Sequence, residues 1–181
     1  MSRLPAPPAA PLRLHIGGTE ARPGWSIVNV QPGAHVDFVG DCTNLTQLPD
    51  GVVSEIYASH VYEHLGYADE LPRALKEAWR VLLPGGVLRL SVPDLQMLCW
   101  LFLSPLLDAN ERFHVMRVLF GGQVDSYDFH KVGLTGEFMG QFLHMAGFTS
   151  ARRVDEFGLF EDSSSVRIRG HLISLNIEAT K

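Results

Sequence analysis

Three stretches carry residues that can do chemistry. Ser59-His60-Val61-Tyr62-Glu63-His64 sets two imidazoles and a carboxylate within a few residues. Gly121–Leu134 contains Tyr127, Asp128 and His130, the best polar cluster for acceptor chemistry. Imidazole titrates near neutrality, so His130 suits removal of a proton from a hydroxyl, with Asp128 or Tyr127 orienting the ring. A second reading of His130, as a tie between the lid and the sheet, stands beside it. The third stretch is Gly17-Gly18, directly after an apolar run. Lacking Cβ atoms, these residues let a ligand approach the backbone closely, or simply make a tight turn.

The elements that must position these groups follow from periodicity. Glu55–Ala58 reads as a strand. Asp69 can cap a helix with Pro72 in its first turn, and Leu71, Leu75, Ala78 and Leu82 fall on one helical face. Pro84, Gly85 and Gly86 stop it, and Val87–Val92 is the next strand. Two strands joined by a helix are parallel with a right-handed crossover, so His60 and Asp94 come to the same sheet edge, where ligands of open parallel sheets bind. Leu12–Ile16, Ser26–Val30 and Val36–Val39 read as the first three strands, with too few residues between the first two for a full helix. Either those strands pair through an unusually short crossover or their bounds lie elsewhere. Leu95–Phe120 is apolar and helical, a lid or a dimer face within a segment of about 95–135. Thr135 caps a helix over Glu137–Ala146 whose Phe138, Phe142 and Met145 point inward. Phe148–Val154 and His171–Glu178 are further strands, the latter alternating Ile173, Leu175 and Ile177 with polar residues.

Composition limits the partners. A chain of 181 residues with 46% hydrophobic residues suits one α/β domain, expected over 12–181 after a flexible tail at 1–11. A net charge of −5 gives no footprint for nucleic acid or an anionic membrane. No apolar leader or spanning stretch is seen, and Cys42 and Cys99 read as buried free thiols, which together suggest a cytoplasmic protein. No metal-ligand spacing involves the cysteines. A dinucleotide is disfavoured, because Ile-Gly-Gly-Thr-Glu-Ala lacks the G-x-G-x-x-G spacing and the helix that would hold a pyrophosphate.

The runs ASHVYEHL and ALKEAWRVLLPGGVLRLSVPDL closely resemble the central segment of the class I methyltransferases that use S-adenosylmethionine. LHIGGTEARPGWSIVNV resembles a small type 11-like bacterial subgroup whose short first loop ends in Gly-Trp, and GGQVDSYDFHKVGL resembles a segment of the same subgroup in which a His lies between the two halves of the domain. The resemblance implies a Rossmann-like, mostly parallel sheet with an antiparallel last strand, a reduced first helix and a helical insertion after the fifth strand. It implies S-adenosylmethionine as cofactor, a ligand with no phosphate to place. Gly17 and Gly18 would lie beside its amino-acid part and His60 beside the methionine moiety. Asp41 would border the adenine, although it equally suits a turn cap. Gln31 stands where the family carries an acidic residue for the ribose, and a neutral amide bonds a hydroxyl more weakly. The acceptor implied is a hydroxyl of a small molecule or glycan, with His130 as base. A non-catalytic protein retaining the fold is the rival from another class, and a homodimer is compatible with the bulky Trp100, Phe102 and Phe113.

Overall fold

The computed structural model describes residues 11–181, so all but the last residue of the expected tail lies outside the described residues. Seven strands form one sheet in the order β3-β2-β1-β4-β5-β9-β6. These are β1 (Leu12–Ile16), β2 (Ser26–Asn29), β3 (Phe38–Val39), β4 (Val53–Ser59), β5 (Leu82–Pro93), β6 (Ser150–Val154) and β9 (Ser174–Thr180). The first five pair with one another in parallel, and β9 runs antiparallel to both β5 and β6. A hairpin of β7 (Arg167–Ile168) and β8 (His171–Leu172) stands apart. β1 and β2 do pair in parallel, Leu14 opposite Ser26, across a connection that holds no helix. The short crossover was therefore the correct alternative, and the expected fold class holds.

Helix α1 (Glu70–Val81) buries Leu71, Ala74, Leu75, Ala78 and Val81, the apolar stripe that its sequence spells out. It ends one residue early. Leu82 is already extended and pairs with Val53, so Pro84 to Gly86 lie inside β5, with Gly85 at φ 77°. Asp69 makes no side-chain cap and pairs with Arg73 at 3.2 Å instead. Helix α4 (Gly136–Ala146) begins at Thr135, whose hydroxyl accepts from Phe138 N, and stops at left-handed Gly147. Its inward face is not the expected one. Met139, Leu143 and Ala146 are buried in the main core, while Phe138 and Met145 are exposed. Packing between α1 and the sheet selects that stripe, and it leaves Phe138, Phe142 and Met145 beside a groove with Tyr67 and Val132.

The two faces of the sheet differ. One face presents Leu14, Ile16, Ile56, Leu88, Leu90, Leu175 and Ile177 to α1 and α4. The other presents a ladder of charge across five strands. Arg13 meets Glu55 at 2.8 Å, Glu55 also meets Arg89, Arg89 reaches Glu178 at 2.8 Å, and Glu178 meets Arg152. Opposite charges on neighbouring strands support the pairing. Toward the carboxyl edge, the segment 155–165 covers this face with an aromatic cluster of His15, Trp25, Tyr57, Phe157 and Phe160. The Tyr57 hydroxyl donates to Asp162 at 2.7 Å. That cover explains why Ser174 and Asn176 are fully buried rather than alternating outward. Ser174 donates to Ser163 O at 2.9 Å, and Asn176 donates to Asp155 O and Ser164 O at 2.8 and 2.9 Å.

After β5, helices α2 (Leu95–Leu103) and α3 (Ala109–Phe120) form a second core through Leu98, Leu101, Leu107 and Val115, joined by Ile168 and Ile173. A capping box between Asp108 and Glu111 starts α3. Trp100, Phe102 and Phe113 are exposed. Both cysteines are free, but only Cys42 is buried. Burial pushes its thiol up to about 12, whereas Cys99 is exposed, against the expectation of two buried thiols.

Candidate active site at the carboxyl edge

The parallel strands β1, β2, β4 and β5 end together, and His60 follows β4 directly. Its backbone is left-handed at φ 53°, a conformation that costs a residue with a Cβ roughly 1–3 kcal/mol and persists where surroundings enforce it. The enforcing contacts are present. His60 N donates to Ser91 O at 2.8 Å, ring Nε2 lies 3.0 Å from Ser174 Oγ, and Nδ1 lies 3.0 Å from Glu63 Oε1.

A cleft of about 520 Å³ opens there, lined by Gly17, Asn29, Asp41, His60, Tyr127 and Lys131 among others. Gly17, Asp41 and His60 thus converge, as the sequence suggested. Gly17 has φ 78°, and a Cβ on it would come within 2.6 Å of Val61 Cγ2. Asp41 serves in two ways. Its Oδ1 accepts from Thr43 N at 2.8 Å, closing a turn, and the residue also lines the cleft. Lys131 bridges to Glu70 at 2.9 Å on the same lining.

Two expected residues stand elsewhere. Gly18 does not line the cleft. A Cβ there would meet the His15 ring at 2.6 Å, so its missing side chain serves packing on the aromatic face. Gln31 also lies outside the lining, because β2 stops at Asn29 rather than Val30. Asn29 takes the position at the strand end. Its Nδ2 donates to Gly18 O at 3.0 Å, and its Oδ1 accepts from Gln31 N at 2.9 Å. The sequence signal for Asn29 was only the strand boundary, which was set one residue late.

A second cleft of about 470 Å³ shares His60 and His64 with the first. Its other walls include His114 and Arg117 of α3, Asp128, His130 and Ser163. His130 is half-buried. Desolvation holds its imidazole below the usual 6.5, opposed by the charge of Glu63. The expected orienting residues make no hydrogen bond to its ring. Tyr127 lies in the first cleft, and the Asp128 carboxylate accepts from Val124 N at 3.3 Å. The group that faces His130 is Glu63, whose Oε1 is 4.0 Å from Nε2. The sequence singles out Glu63 beside His60 and His64 but does not pair it with His130. Glu63 sits in a single 3-10 turn, Tyr62–His64, and its carbonyl accepts from Lys131 N at 2.8 Å and Val132 N at 3.3 Å. His64 Nδ1 lies 3.2 Å from Phe129 O. Those bonds stitch residues 129–132 to the end of β4, so His130 also stands where the tying role would put it. Asp94, at the same edge, is 3% exposed, accepts from Met97 N and pairs with Arg153 at 2.8 Å.

Residues 24–90 match the family model described as a methyltransferase domain. A methyltransferase of Archaeoglobus fulgidus that depends on S-adenosylmethionine superposes with a TM-score of 0.59 at 16% identity, over 96% of this chain and 87% of that one. The chain has the class I methyltransferase fold. A methyltransferase of Thermotoga maritima, described as a possible histamine N-methyltransferase, gives a TM-score of 0.53 at 17% identity over 94% of this chain and 82% of its own. A protein of Bordetella parapertussis, described as possibly exported, gives 0.57 at 15% identity over 95% of this chain and 62% of its own. No curated protein matches the chain significantly. Identities this low speak for the methyltransferase fold and not for an acceptor. Among the described residues, no helix is long and apolar enough to cross a membrane.

The first cleft of this methyltransferase fold has the donor set that S-adenosylmethionine calls for. Polar groups at Asn29 and Asp41 flank an apolar floor of Val28, Cys42 and Leu65, and the glycine backbone of Gly17 lies toward His60. Its volume is within the roughly 300–1,000 Å³ of small-ligand sites.

Proposed function

We propose that the protein is an S-adenosylmethionine-dependent methyltransferase that acts on a hydroxyl of a small molecule or glycan. The observation that carries this reading is the meeting of two clefts at His60 and His64. When bound, S-adenosylmethionine supplies a methyl already activated on a sulfonium, so the chain must align and exclude water rather than activate the carbon. In the first cleft Asp41 accepts from the adenine amino group, Asn29 bonds the ribose, and Gly17 with His60 bounds the amino-acid end. In the second, Arg117, His114 and Asp128 offer polar partners to an acceptor, while α3 supplies a wall that limits water. His130 takes the hydroxyl proton, and Glu63 steadies the imidazolium that forms. His130→Ala should cut turnover by at least tenfold with the affinity for S-adenosylhomocysteine nearly intact. Unchanged turnover rejects the base assignment.

One observation favours a second reading. The end of β2 carries the neutral Asn29, and the cleft's carboxylates come from Asp41 and Glu70 instead. A protein that keeps the fold but acts by association would tolerate that change. Calorimetry separates the two, because an associating protein gives no heat and no thermal shift with millimolar S-adenosylmethionine.

A further inference from the structure

Glu63 is 1% exposed, and neither of its carboxylate oxygens accepts a hydrogen bond among the described residues. A buried carboxylate in that condition costs several kcal/mol unless a cation faces it. His60 Nδ1 approaches on one side, at 3.0 Å. Two more imidazoles stand near the same carboxylate, with His130 Nε2 4.0 Å from the oxygen that His60 approaches. Glu63, His64 and His130 each present one ligating atom, and these atoms lie within 4.8 Å of one another. The His64 and His130 rings meet edge to face, with centroids 4.8 Å apart and planes at 76°.

We infer that Glu63, His64 and His130 form a binding site for a divalent transition-metal ion of the zinc or cobalt type. Two imidazoles and one carboxylate make a donor set that such ions prefer, whereas magnesium and calcium favour oxygen alone. Tautomer control is built in. The Phe129 carbonyl can only accept, so His64 Nδ1 carries the proton, and Nε2 keeps the lone pair that a metal needs. Bonds of about 2.0–2.1 Å place neighbouring ligand atoms roughly 3.3 Å apart around a tetrahedral ion. Closing on an ion therefore takes side-chain shifts of about an ångström. His64 and His130 are only partly buried and lie on a turn and a loop, so they can make that shift. Three protein ligands leave one position open toward the second cleft, which His64 and His130 both line.

A neutral imidazole has one free lone pair, so ligation and proton removal by His130 exclude each other. The loaded protein should then be unable to transfer methyl. That consequence rests on the methyltransferase reading, whereas ion binding does not.

The test uses tag-free, chelator-stripped protein titrated with cobalt(II) chloride, read by visible ligand-field absorption without cofactor or acceptor. The expected result is saturation at one ion per chain, displacement by zinc, and at least tenfold weaker binding in both His64→Ala and His130→Ala. His64 is peripheral enough for its variant to fold, which circular dichroism verifies. Absence of saturable binding in the wild type, or unchanged affinity in both variants, overturns the site. Failure of methyl transfer alone would leave the spectrum untouched, so the two readings fail separately.

Discussion

The two clefts that meet at His60 and His64 are built from different material. The first is made of strand ends. Gly17 follows β1, Asn29 closes β2, Asp41 follows β3 and His60 follows β4, all fixed by the register of parallel pairing. The second is assembled from distant pieces, with α3, the loop around His130, and the segment near Ser163 and Ile173 brought together by a satellite core. A sheet edge sets the first rigidly, while the second depends on how an insertion packs. One cleft is thus suited to a constant ligand and the other to a variable one.

The glycine pair breaks this comparison most sharply. Gly17→Ala adds a Cβ at positive φ and drives it to 2.6 Å from Val61 on the first cleft. It should cost about 2–4 kcal/mol in denaturant melts and abolish cofactor binding. Gly18→Ala meets His15 at the same distance on the other face of the sheet, without positive φ. It should cost about 1–3 kcal/mol and leave cofactor affinity in the folded protein within twofold. Equal loss of binding in both variants would erase the distinction between the two glycines.

Next in size is the pH response of the aromatic face. Burial holds His15 down to about 4, with Arg22 lowering it further and Asp162 opposing. Its folded value is depressed, so the unfolded chain takes up the proton first. Its contribution to stability is complete above pH 6.5 and is lost as pH falls from there through about 4. The Glu77–Arg80 pair on α1 gives a contrasting window. Hydrogen bonds from Arg80 hold the Glu77 carboxyl below 4.5, so its contribution persists to that pH and is lost only below it. Thermal melts should show the upper slope removed by His15→Phe and the lower slope reduced by Glu77→Gln.

The smallest expected effect sharpens the first cleft. Asp41→Ala removes the acceptor proposed for the adenine but leaves the strand ends in place. It should weaken cofactor binding about tenfold, near 1.4 kcal/mol, with turnover at saturation unchanged. A fall in turnover without a change in affinity would move Asp41 to the second cleft's chemistry.

The contrast between the clefts also explains what the sequence could tell. The unit from β4 through α1 to β5 carries strong local signals, so the sheet order, the working edge, and the meeting of Gly17, Asp41 and His60 were legible. Gln31 falls just past the cleft's lining because β2 ends one residue earlier than the sequence suggests. Gly18 faces His15 rather than the cleft, and a glycine pair in sequence does not say which way each member turns. The stripe of α4 was out of phase because all its faces carry apolar residues, and only contact with α1 chooses among them. Glu63 was undervalued because its importance lies in what it lacks, hydrogen-bond donors, together with its distance to a histidine 67 positions away in sequence, and neither has a local signature.

The most direct measurement is the structure of crystals soaked with S-adenosylhomocysteine. The account predicts density along Gly17, Asn29 and Asp41, with the sulfur directed past His60 toward His130. Ordered ligand elsewhere, or a sulfur turned away from the second cleft, would contradict it.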